Sequence, residues 1–293
     1  MEQRRQDTSR PRRDSGTGSA QESKRQPSGL VVRTAFGLIY AALFIGCLIA
    51  GTLPTALFVA AMSWLCCFEF FRMMRLDGKV PNELLGLAAA VLFPLSALVD
   101  PLWLSALLFV LVLSLGLWYV FFPRTRLADV AITAFGAMYT GFMLSAIVLL
   151  RDSVAGFPGA LLSVGVCASL WASDSFAYLV GSKFGKHKMV PKISPHKSWE
   201  GFAGGLAGSV VIWLILWATG LYGFDLVFAV ATGLAVSVLG VFGDLIESRI
   251  KRGVGVKDSG NLIPGHGGML DRSDSLIFGC ITAYLILKIG GVI

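Results

Sequence analysis

Charge is scarce in this sequence. Only 15% of its 293 residues are Asp, Glu, Lys or Arg, against 55% hydrophobic, and mean hydropathy is +0.72. A soluble domain of this length would carry nearer a quarter charged residues, so an ordinary cytosolic enzyme is excluded. Nucleotide loops of the familiar kinds are also lacking. No G-x-x-x-x-G-K-[ST] occurs, and no strand–GxGxxG–helix unit; "GSKFGKH" has the glycine and lysine at the wrong spacing. Cysteine-based metal or redox chemistry has no footing either. Cys47, Cys66, Cys67, Cys167 and Cys280 all lie in apolar runs without ligand spacing, and read as small buried hydrophobes. Substantial loops on one side are missing too, and no inverted repeat of the transporter kind is visible.

What is there is a series of apolar runs about 20 residues long, the length of helix that crosses a ~30 Å hydrocarbon core. Backbone groups in lipid must be satisfied within the segment, so such runs predict helices. The expected fold is an all-α polytopic membrane protein. Its nine spans lie near 31–51, 53–71, 82–99, 102–122, 129–150, 159–181, 201–222, 225–244 and 274–292. The third is interrupted by Pro94. Residues 1–28 are polar and Arg-rich, and are expected to form a disordered basic cytoplasmic tail. The full-length span that follows reads as a retained first helix, not a cleaved signal. Residues 29–150 would hold about five helices, and 151–293 about four with the chemistry.

The distribution of cations orients this chain. With the N-terminus cytoplasmic and the C-terminus outside, 23 of the 25 Lys and Arg fall on the inner side. Arg151 alone faces outward, and Lys288 lies in the last helix. The loops 182–201 and 247–272 are then cytoplasmic, and the outer connections are too short to form a domain.

Acids within or at the ends of spans are costly and therefore informative. They are Glu69 at the end of the second span, Asp174 in the sixth, Asp244 at the inner end of the eighth, and Asp271 with Asp274 opening the ninth. Asp271 and Asp274 share a helix face, as do Asp244, Glu247 and Ser248. The eighth span ends and the ninth begins on the same side, so their carboxylates can meet. Asp274 taken alone reads equally as a helix cap, and Asp244 as an ion-pair partner of Arg249 or Arg252. Most basic residues read as topology signals and headgroup contacts. The combination says more. Gly253, Gly255, Gly260, Gly265, Gly267 and Gly268 allow close backbone approach to a ligand. Lys251, Arg252, Lys257 and Arg272 offer cations to phosphate, and clustered Asp suits Mg²⁺. The block reads as a phosphate-plus-Mg²⁺ site. His266, flanked by glycines, could meet a phosphate, a base or a proton. Lys197 and Glu200 could reach an anion or pair with each other.

The run S-x-I-K-R-x4-K-D-x-G-x2-I-P-x-H-G-G-M-x-D-R-x-D, residues 248–274, resembles the signature of the phosphatidate cytidylyltransferase (CDP-diacylglycerol synthase) family. "SDSFAYLVGSKFGKHK" with "SPHKSWEG" resembles that family's second block. Ser273 replaces an apolar residue or Thr, His196 a common Lys, and Ser198 a common Thr. The resemblance spans about residues 30–293. It implies transfer of the cytidylyl group of CTP to phosphatidic acid, giving CDP-diacylglycerol and pyrophosphate for phospholipid synthesis, with no covalent enzyme intermediate. It implies paired metal-binding carboxylates at Asp244 and Asp271, holding Mg²⁺ with room for a second monovalent or divalent cation. Asp274 and Asp258 would support the metal or its waters. Lys251, Arg252, Lys257 and Arg272 would hold phosphates, with Lys197 and Ser198 on the lipid phosphate or triphosphate. Ser248, His266, Gly267 and Gly268 complete the substrate set, and Asp174 and Tyr178 line the wall. Asp244, Asp271, Asp274 and Lys257 form the expected catalytic group. The implied partners are CTP, phosphatidic acid and the bilayer, with no nucleic acid; family members are thought to form homodimers. The expected location is the bacterial inner (plasma) membrane with the site facing the cytoplasm. Two rivals leave more unexplained. An ion-coupled transporter has no use for the HGG block. Another CTP-dependent lipid enzyme, of the polyisoprenoid kinase type, would release CDP instead of pyrophosphate.

Overall fold

The computed structural model describes residues 29–260 and 267–293, with side chains from residue 37 onward except Pro101. The expected disordered tail 1–28 lies outside the described residues. Ten α-helices carry the fold: α1 (Gly29–Ala50), α2 (Thr52–Leu76), α3 (Glu83–Ser96), α4 (Pro101–Phe121), α5 (Leu127–Ala137), α6 (Ser145–Asp152), α7 (Gly156–Phe184), α8 (Trp199–Ala218), α9 (Leu226–Gly253) and α10 (Leu270–Ile289). A π-helical turn, Met138–Phe142, joins α5 to α6. Among the described residues, six helices are long and apolar enough to cross a membrane, with α5, the π turn and α6 counted as one. The chain is thus an all-α integral membrane protein in its architecture.

Several expectations need correction. The third apolar interval yields a helix of 14 residues, about 21 Å of rise, shorter than the interval 82–99 read from the sequence. Asn82 caps its start by accepting from Leu85 N–H at 3.1 Å, and the helix stops two residues after Pro94. The eighth interval was expected to end at Asp244, but α9 continues to Gly253. Asp244 therefore lies within the helix, and the charged loop shrinks to the residues between α9 and α10. The sixth interval, 159–181, yields the longer helix α7, of 29 residues, about 43 Å. After it the chain makes a feature the all-α reading omitted. A two-stranded antiparallel hairpin, β1 (Lys188–Val190) and β2 (Ser194–Ser198), pairs Lys188 with Ser198 and Val190 with Ser194. Pro195, which resists helix, sits in its second strand.

Small residues set the helix spacing around the site. In α8, "WEGFAGGLAGS" turns Gly201, Gly205 and Gly208 toward α7. A Cβ on any of them would run into the carbonyls of Ala177, Ser173 or Ala172. Close backbone approach of this kind is how helices associate where burial in water offers no drive. Gly243 of α9 lies against the carbonyl of Asp274 in α10 in the same way. Ser173 of α7 and Ser237 of α9 hydrogen-bond at 2.7 Å. The core between these helices holds Trp213, Leu170, Leu276 and Ile277, all buried. At the far end of the bundle, the buried Arg151 donates through Nε to the carbonyl of Leu48 at 2.7 Å, closing the end of α1.

Candidate active site

A cavity of about 380 Å³ opens where α7, β2, α8, α9 and α10 converge. Its polar wall is formed by Asp174 and Tyr178 from α7, Lys197 and Ser198 from β2, Asp244 from α9, and Asp271, Arg272 and Asp274 from α10. Eight of the residues singled out from the sequence are thus gathered in one place from four elements. The glycine contacts set this geometry. Gly201 lets α8 begin against Ala177, and Gly243 lets α9 lie on α10 at Asp274.

Each carboxylate has definite partners. Asp244 Oδ2 pairs with Lys197 Nζ at 2.6 Å, and its Oδ1 accepts from Ser248 Oγ at 3.1 Å. Its partner is therefore neither Arg249 nor Arg252. Asp271 Oδ1 accepts from Lys251 Nζ at 2.6 Å. Its Oδ2 accepts from Ser259 N–H at 2.9 Å and Gly268 N–H at 2.7 Å, and lies 2.9 Å from the Ser259 hydroxyl. Asp174 accepts from Ser275 Oγ at 3.2 Å, which ties α7 to α10. Asp274 accepts only from its neighbour Ser275 N–H among the described residues, at 2.7 Å, and faces the cavity. Ser198 caps α8 by accepting from Gly201 N–H at 3.2 Å, leaving its own proton to give.

The structure departs from the sequence reading at the other residues. Lys251 is not a free cation for phosphate; its ammonium is buried between Glu247 and Asp271. A buried ammonium requires such partners, since an unpaired one would cost several kcal/mol. Arg252 points away and donates to the carbonyl of Val256 at 3.0 Å. Lys257 and Asp258 are exposed and stand outside the cavity lining. Ser248 touches the site through Asp244. Lys197 and Glu200 do not pair with each other: Glu200 Oε1 meets the His187 ring at 2.6 Å and holds the base of the hairpin. The glycines admit the protein's own carboxylates. A Cβ at Gly267, where φ is +83°, would crowd Asp271, and one at Gly260 or Gly268 would crowd Glu69. His266, with Gly265, lies outside the described residues.

Sequence reasoning gave no role to His196, Met189, Phe202 and Val241, which also line the cavity. The only available signal was the position of Val241 one turn before Asp244. Glu69, a costly acid to which the sequence assigns no function, is buried beside the start of α10.

Among the described residues no group of three or more His, Cys, Asp or Glu is placed to hold a metal ion. The donor chemistry still fits Mg²⁺. Two carboxylates, each already attracting an ammonium, face one cavity, and Mg²⁺ is usually held by one or two carboxylates with substrate phosphates completing its shell.

A family model described as the cytidylyltransferase family matches residues 31–290. The phosphatidate cytidylyltransferase of Bacillus subtilis is 33% identical over 263 residues, covering 88% of this chain and 97% of that protein. That of Synechocystis sp. is 31% identical over 289 residues, covering 88% and 95%. That of Mycobacterium tuberculosis is 37% identical over 169 residues, covering 57% of this chain and 50% of the relative.

Proposed function

From the premise that this chain belongs to the cytidylyltransferase family, we propose that it transfers the cytidylyl group of CTP to phosphatidic acid, as the names of its relatives indicate. The products are CDP-diacylglycerol and pyrophosphate. The single observation that carries the reading to this site is the cavity itself, where Lys197 and Arg272 stand among four aspartates at the meeting point of four helices.

An ionised phosphate oxygen of the lipid attacks the α-phosphorus of CTP. The new P–O bond forms as the bond to the β-phosphate oxygen breaks, and pyrophosphate leaves with that electron pair. No side-chain nucleophile is needed. Two anions must be brought together, so neutralising charge is the main task of the residues present. Arg272 is exposed and lines the cavity, and its planar fork suits phosphate. Lys197 releases Asp244 to meet a phosphate, and Ser198 donates its free proton beside it. Asp244 and Asp271 are the residues that would hold Mg²⁺, with Asp274 and Asp174 nearby to support a second cation or bound water. When bound, the ion supplies positive charge against the triphosphate and the departing pyrophosphate.

Nine crossings, with the N-terminus and the cavity on the cytoplasmic side of the inner membrane, put the site at headgroup depth. CTP then arrives from the cytosol and the lipid from the leaflet. A homodimer fits the family reading.

Pyrophosphate release by the detergent-purified protein tests the activity. Release should require CTP, phosphatidic acid and Mg²⁺ together, and Asp271→Asn should abolish it. Release of CDP instead would point to a lipid kinase, and release without lipid would refute transfer.

A further inference from the structure

A buried polar connection to Asp271 comes from outside the C-terminal helices. Glu69, on α2, is 4% exposed. Its Oε1 accepts from Met269 N–H at 3.0 Å, and its Oε2 from Leu270 N–H at 2.9 Å. These are orphan amides at the start of a helix. Met269, which stands at the N-cap of α10, offers no side-chain cap of its own. Glu69 supplies one from 200 residues away. Its negative charge also suits the positive end of the helix dipole.

Three further contacts tie this cap to Asp271. The Ser259 hydroxyl lies 2.9 Å from Glu69 Oε2 and 2.9 Å from Asp271 Oδ2, between the two carboxylates. Gly260 and Gly268 leave the space that the Glu69 carboxylate fills, since a Cβ at either would meet its oxygens. Gly268 N–H, beside that space, donates to Asp271 at 2.7 Å. One carboxylate therefore sets the backbone that carries Asp271 and, through Ser259, the side chain as well.

We infer that Glu69 is a positioning residue for Asp271, a helix cap donated by the N-terminal half of the chain that holds the aspartate at the cavity. The inference rests on the proposed function in one respect, that Asp271 serves the reaction. Glu69→Gln keeps the size of the side chain but offers one amide oxygen where two acceptors are needed. Its NH₂ then faces a backbone N–H. The loss of such an outer partner typically costs 10–100-fold in activity or metal affinity.

The test uses the full-length protein in detergent, with two independent readouts. Hydrogen exchange should quicken in Glu69→Gln across residues 267–273 and stay unchanged across 165–181. Turnover should fall about 10–100-fold, with a raised Mg²⁺ midpoint and an unchanged KM for phosphatidic acid. Ser259→Ala keeps the cap on the 269 and 270 amides, so exchange at Leu270 should hold while the Mg²⁺ midpoint rises. The inference is overturned if Glu69→Gln exchanges and turns over like the wild type. It is equally overturned if protection is lost throughout α2 and α9 while Ser259→Ala is silent, which would make Glu69 a general packing residue. A wild-type protein that releases no pyrophosphate would sink the activity, and the exchange comparison would still decide whether Glu69 holds this turn.

Discussion

At the scale of single residues, Lys251 illustrates how a sequence motif and a structure can divide the work of a cation. Its ammonium lies between Glu247, which is fully buried, and Asp271. Removing it would leave two carboxylates with no counter-charge in a poorly solvated place. Breaking a buried ion pair by deleting one partner typically costs about 3–5 kcal/mol. Lys251→Met should therefore lower the thermal stability of the purified protein sharply. The double variant Glu247→Leu/Lys251→Met replaces an ion pair with apolar contact, which is often neutral or better. Its melting temperature should recover most of the loss, while pyrophosphate release stays low because Asp271 still lacks its partner. A double variant no more stable than the single one would mean that Glu247 is not the charge Lys251 balances.

At the scale of elements, the close approach of α7 and α8 rests on glycines where those helices meet, and placement of Asp174 and Tyr178 beside Lys197 depends on it. Gly208 faces the carbonyl of Ala172 and the ring of Phe176, whereas Gly116 of α4 has nothing within 4 Å of where a Cβ would stand. Gly208→Leu should force the helices apart at about 1–3 kcal/mol, the usual range for overpacking. Gly116→Leu should leave the melting temperature unchanged. Equal effects at the two positions would show that spacing is not set by this contact. The sequence made these helices legible through run length, and Pro195 resists helix in the hairpin, but the strands themselves left no periodic signal. A three-residue strand and a five-residue strand give alternation too little length to appear. The continuation of α9 past Asp244 was missed for a related reason. Charged residues after an apolar run read as loop, although Glu, Ser, Arg and Lys are all compatible with helix.

At the scale of the whole molecule, the acids were legible because a carboxylate in a greasy context needs a reason. Asp174, Asp244, Asp271 and Asp274 do meet in one cavity. Ser248 is legible as a partner of Asp244 one turn away, but a pairing across 200 residues, as between Glu69 and Leu270, leaves no local pattern. Orientation is likewise a global property, and it makes its own prediction. If the 23 inward Lys and Arg report the true topology, the hairpin turn at Lys192 and the α8–α9 connection at Leu221 lie on opposite sides, separated by the single crossing of α8. Both residues are exposed. Cys66, Cys67, Cys167 and Cys280 are buried, so only Cys47 needs replacing to give a quiet background. Lys192→Cys should react with a membrane-impermeant maleimide in inside-out vesicles and not in intact cells. Leu221→Cys should do the reverse. Labelling of both from one face would mean that α8 does not cross, and the swapped pattern would place the cavity on the outer surface. CTP could not reach it there, so the orientation experiment bears directly on the activity: only the first pattern lets a cytosolic nucleotide and a membrane lipid meet at Asp271.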